Sequence, residues 1–205
     1  MKKLLSPRWL LVVLTGLLFA AYSAYMVFVI IRDAKSLSIE GYLINGCVAL
    51  MFALCAVYLW TAGIKGKKHI IFMMVRRTTL IIALLVIFLL KLRIAVQVIN
   101  FMDYTKPYTL IYGWSYFLTL AALAILLGYY VFILKSLPFH PKAALFLPRT
   151  AVILFLLCLI LDAVLFFGFG IMLDGNVIRT VVSRPIFYFS FIGLAIHFLY
   201  PMQAT

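Results

Sequence analysis

Residues 70–102 read IIFMMVRRTTLIIALLVIFLLKLRIAVQVINFM, a long apolar run broken by four cations and containing no acid. The uninterrupted piece, Thr78 to Leu90, has 13 residues. At about 1.5 Å per residue that is about 20 Å of helix, against a hydrocarbon core about 30 Å thick. A helix that crosses here must carry one pair of cations into the membrane. Arg76 and Arg77 fit the cytoplasmic interface, where long side chains reach back to water. The third span then covers 78–102, with Lys91 and Arg93 inside it.

The rest of the chain obeys the same arithmetic. Of its 205 residues 67% are hydrophobic and 11% charged, with a mean hydropathy of +1.21. A soluble domain carries about 25% charged residues. So few charges cannot cover a surface in water, so the solvent for most of the exterior is a bilayer. Apolar runs of spanning length predict an all-α fold: a polytopic transmembrane helical bundle forming a single integral membrane domain over residues 1–205. Six spans are expected, at about 9–31, 41–64, 78–102, 109–134, 149–173 and 183–200. The final run, Pro185 to Tyr200, has only 16 residues, so five spans plus a short or re-entrant sixth is the alternative. Arg32 to Glu40, Asp103 to Pro107, Lys135 to Pro148 and the turn at Asp174-Gly175-Asn176 are the polar connectors that bound these spans. The start resembles a secretory signal, but its apolar run continues to Ile31, which favours an uncleaved span.

The net charge of +13 arises from 18 Lys and Arg against 5 Asp and Glu. These cations lie mainly in short loops beside apolar runs, where lipid headgroups rather than nucleic acid are the counter-charge. With the N-terminus inside, Lys2, Lys3, Arg8, Lys65, Lys67, Lys68, Arg76, Arg77, Lys135, Lys142 and Arg149 make eleven cations inside. Arg32, Lys35, Lys106, Arg179 and Arg184 make five outside. Both termini are therefore expected to be cytoplasmic, in a plasma or bacterial inner membrane. The three cysteines, Cys47, Cys55 and Cys158, fall in apolar runs and read as buried free thiols.

Charge at depth is the feature that points to function. Lys91 and Asp162 lie at about 20 and 18 Å from the cytoplasmic edge of their helices, where an isolated charge costs at least about 2.5–3.5 kcal/mol. Asp162 is expected to pair with Lys91 or Arg93, or to face a wet cavity. Gln97 and Asn100 follow Arg93 at i+4 and i+7, with Tyr104 beyond, a stripe expected to face the bundle interior. Lys91, Arg93, Gln97, Asn100 and Asp162 are thus the candidate ligand or ion path; the plainer reading makes them polar glue between helices.

Catalytic parts are missing from the pattern. No GxSxG, HExxH, phosphate-binding glycine loop, Cys/His metal cluster or intramembrane carboxylate pair occurs. No catalytic residue, metal ligand or cofactor is therefore assigned, and His197 reads as a structural histidine. Gly16, Ala20 and Ala24 form a small-residue ridge, which either packs helices within the chain or docks a second membrane subunit or another copy. Three functions follow: a small-solute or ion transporter or transport-complex subunit, narrowly preferred; a non-catalytic partner or assembly subunit; and a membrane-embedded enzyme.

Overall fold

The computed structural model describes residues 7–61, 69–101, 103, 105–134, 141–171 and 179–199. These residues hold helices and turns and no strand. The helices are α1 (Pro7–Arg32), α2 (Ile39–Trp60), α3 (His69–Phe101), α4 (Pro107–Leu134), α5 (Pro141–Ala163) and α6 (Arg184–Leu199). A π turn at Val164–Gly168 continues α5, and a second at Arg179–Ser183 leads into α6. Six segments are long and apolar enough to cross a bilayer: Trp9–Arg32, Ile39–Trp60, Met74–Asn100, Tyr108–Val131, Leu145–Gly168 and Val181–Leu199. The chain is an integral membrane protein of the all-α, six-span class. The last segment has 19 residues, or about 28 Å of helix, because the π turn at Arg179–Ser183 leads directly into α6 and carries the run back ahead of Pro185.

Two compact units are present, residues 1–87 and 88–205, with the division falling inside α3. In the first unit α1 packs on α2. Lipid tails are as apolar as leucine, so such packing draws on close contact and interhelical hydrogen bonds. Phe52, fully buried, stacks on Tyr22 at 4.3 Å and meets Phe19 at 5.4 Å. Ser23 Oγ donates to the Ala49 carbonyl at 2.7 Å. Gly16 lies under the Trp60 indole, and a β-carbon there would stand 2.7 Å from Trp60 Cδ1. At this position the small residue serves a contact within the chain; Ala24 is exposed. The turn into α2 is fixed by Ser38, whose hydroxyl accepts the Gly41 N–H at 3.1 Å. The Tyr42 hydroxyl donates across the same turn to the Ala34 carbonyl.

In the second unit α4 packs on α5 and α5 on α6. Phe155 and Phe191 stack at 5.7 Å, and Tyr130 and Phe198 at 5.1 Å, along the buried seams. Outward-facing side chains such as Phe117, Ile153, Ile160 and Phe167 are large, apolar and exposed, as a lipid-facing surface requires.

Three expectations need correction. Pro148 does not belong to a connector, since α5 begins at Pro141 and contains Pro148. A helix tolerates this because Pro141 takes a starting position, where a missing N–H costs nothing, and spans accommodate an internal proline through nearby hydroxyls. Thr150 Oγ1 donates to the Phe146 carbonyl at 3.0 Å, beside the break. Arg76 and Arg77 are helical rather than part of the loop between the second and third spans, since α3 begins at His69. Cys47 is exposed, unlike Cys55 and Cys158, because α2 turns it away from the α1 seam. The turn at 174–176 and Tyr104 lie outside the described residues.

Candidate functional site

Asp162 sits near the end of α5, two residues before the π turn begins at Val164. The side chain is 8% exposed, and a bare carboxylate at such burial is costly unless donors surround it. They do. Ser115 on α4 donates its hydroxyl to Asp162 Oδ1 at 2.6 Å. Tyr188 on α6 donates to Oδ2 at 3.0 Å. Arg184, the first residue of α6, brings Nε to 3.3 Å from Oδ2, and its side chain is as buried as the carboxylate's. Three helices thus meet at one carboxylate.

The guanidinium has its own setting. Its carbon lies 5.0 Å from the Tyr116 ring centre and 6.0 Å from that of Tyr112, both on α4. Cation–π attraction there replaces part of the hydration that burial removes. A second polar layer follows one turn along α4 and α5. Thr119 Oγ1 donates to the Ser115 carbonyl at 2.8 Å and lies 3.4 Å from Cys158 Sγ. Cys158 Sγ in turn lies 3.5 Å from the Ser115 carbonyl.

The geometry reassigns the partner of Asp162. Among the described residues its contacts are Ser115, Tyr188 and Arg184, and neither Lys91 nor Arg93. Lys91 instead places Nζ 4.3 Å from the centre of the Phe187 ring. Arg93, Gln97 and Asn100 are exposed rather than turned inward, so the expected stripe is not gathered around the carboxylate. Matching depth sets which groups can pair, but rotation about each helix axis sets which do. Arg184 falls at the edge of the shortest span, where its charge counts with the outer loop in the sequence. A signal was present: Tyr112, Ser115, Tyr116 and Thr119 recur at helical spacing on α4, and Arg184 and Tyr188 are four apart on α6.

A cavity of about 300 Å³ lies beside the ion pair. Leu159, Ala163, Phe166, Phe167, Val181, Pro185 and Phe189 line it, and Asp162 is the one charged residue in the lining. Both π turns border it, and Gly170 ends the first in the left-handed region at φ 63°, its N–H bonded to the Phe166 carbonyl at 3.1 Å. Chemically the site holds one carboxylate, one guanidinium, hydroxyls and a thiol. Among the described residues no group of three His, Cys, Asp or Glu is placed to hold a metal ion. His197 lies on α6 beside Phe198, with their rings 6.1 Å apart. Compared with family models, curated proteins and solved structures, the chain matches none.

Proposed function

We propose that the protein is a non-catalytic membrane partner or assembly subunit, in which the Asp162–Arg184 cluster locks α4, α5 and α6 into one unit. The observation that supports this most directly is the saturation of Asp162. Its carboxylate meets donors from two other helices at 2.6, 3.0 and 3.3 Å in a site 8% exposed. A carboxylate held by that many internal donors is poised to fix helices, not to exchange a solute. The exposure of the Arg93, Gln97 and Asn100 stripe supports the same reading. In this reading the protein sits in a plasma or bacterial inner membrane with both termini cytoplasmic, and the ridge at Gly16, Ala20 and Ala24 contributes more to packing than to docking.

Transport is the second reading, favoured by the cavity against Asp162 and by the two π turns, a helical irregularity frequent at functional sites. Reconstituted liposomes separate the two. Full-length protein should give no proton or monovalent-ion flux above empty vesicles. A flux that disappears in a folded Asp162→Asn variant would establish a path through the site and overturn the partner reading.

A further inference from the structure

We propose that the first unit carries a binding site for the phosphate of an anionic phospholipid, built on Arg76 at the membrane–water boundary where α2 ends and α3 enters its span. The guanidinium is held on two sides. Its Nη1 donates to the Thr61 carbonyl at 3.3 Å, and its carbon lies 4.4 Å from the centre of the Tyr58 ring. The Thr61 contact serves one of the carbonyls that the end of α2 leaves unpaired, and the cation offsets the negative end of that helix dipole. What remains is the Nε–Nη2 edge, the fork with which arginine grips phosphate and carboxylate oxygens in pairs. Nε is buried and has no hydrogen-bond partner among the described residues. A buried donor without an acceptor calls for a partner from outside the chain.

Nearby groups do not answer that need. Thr61 and Thr79 both spend their hydroxyl protons on backbone, at the Val57 carbonyl (2.6 Å) and the Val75 carbonyl (2.8 Å). From Gly41 to Met102 the sequence has seven cations and no acid. The missing counter-charge therefore comes from another molecule, and the place selects its class. A cavity of about 180 Å³ lies against Arg76, walled by Leu54, Val57, Tyr58, Thr61, Val75 and Thr79. One water needs about 10–15 Å³ of such space, so the cavity is larger than a single ordered water requires. Val57 and Val75 are exposed beside it, giving an acyl chain apolar surface below the phosphate. The excess of cations also disfavours a zwitterionic headgroup, whose choline or ethanolamine would bring a further positive charge.

The test uses the full-length protein in nanodiscs of phosphatidylcholine with and without phosphatidylglycerol, followed by native mass spectrometry of the retained lipid. Phosphatidylglycerol should be retained over phosphatidylcholine, and Arg76→Gln should lower that preference about tenfold, the scale of one charge-assisted fork. Arg76→Lys should fall between, since lysine keeps the charge but not the fork. Arg77→Gln, one residue along on an exposed side of α3, should change it little. Equal losses in Arg76→Gln and Arg77→Gln would reduce the site to diffuse surface charge and overturn the proposal. Arg76-dependent binding of inorganic phosphate without lipid preference would assign the site to a free anion and overturn it too. If Arg76→Gln does not fold, Arg76→Lys decides: full phosphatidylglycerol preference in that variant refutes the fork.

Discussion

Replacing Asp162 by leucine removes the one acid in α5 and strands the guanidinium of Arg184, whose side chain is 8% exposed. Breaking a buried pair from one side costs about 3–5 kcal/mol, because the remaining charge loses its counter-charge without regaining water. The hydroxyls of Ser115 and Tyr188 also lose their acceptor, but they already stand 3.5 Å apart and can turn to each other. The loss should therefore stay within that range. For a chain of this size each kcal/mol moves the melting temperature by about 2–4 °C, so Asp162→Leu should lower it by about 6–20 °C. Adding Arg184→Met removes the stranded charge as well. Swapping both members of a buried pair for apolar residues is often neutral or stabilising, and one unmet hydroxyl costs about 1–3 kcal/mol. The double variant should thus recover to within about 2 kcal/mol of the native protein. The buried thiols of Cys55 and Cys158 provide the assay: a thiol-reactive dye reports unfolding in detergent, on a Cys47→Ser background that removes the exposed thiol. A double variant as unstable as Asp162→Leu, or an Asp162→Leu protein as stable as native, would refute the lock.

Other outcomes follow from single features. Gly16→Leu should lower the melting temperature by overpacking the Trp60 indole, by about 1–3 kcal/mol, and Trp60→Ala on that background should restore part of it; no loss would mean that α1 does not press on Trp60. Reporter fusions should put Thr205 on the cytoplasmic side and the connector at 174–178 outside, as the cation bias expects; an external Thr205 would refute that orientation. Between α3 and α4, the Thr105 hydroxyl and amide N–H, both bonded to Asp103 Oδ1 at 2.6 and 3.1 Å, hold the Asp103 carboxyl below its usual range, with Lys106 adding to the effect. A depressed carboxyl stabilises the folded turn above its unfolded value of about 3.9, and that contribution disappears as pH falls through the folded value. Thr105→Val should therefore raise the Asp103 titration midpoint read by NMR; an unmoved midpoint would assign the shift elsewhere.

The cluster at Asp162 was half legible beforehand. Its acid stood out because a carboxylate within an apolar run is costly wherever the helix turns, so one residue in one run carried the signal. Its partner did not. Arg184 begins α6 at the very edge of the last span, where a cation reads as part of the outer loop. The tyrosine, serine and threonine stripe on α4 was readable but resembled the interfacial aromatics and scattered hydroxyls that any span carries. The Arg93 stripe was equally regular and is exposed.

Sequence by itself determined that the chain lives in a bilayer, that it is built of apolar helices of spanning length, and which groups sit at costly depth. Those properties depend on transfer free energies summed along one helix, so neighbours in space do not enter. Tertiary structure decided that Asp162 meets Ser115, Arg184 and Tyr188, that Lys91 lies over Phe187, and that Arg76 Nε is buried without a hydrogen-bond partner among the described residues. Each of those depends on how helices rotate and approach, a few degrees or a few ångströms at a time. Between apolar helices in an apolar solvent, burial alone selects no rotation. The choice falls to close packing and to the few polar groups, and those act only once the helices have met.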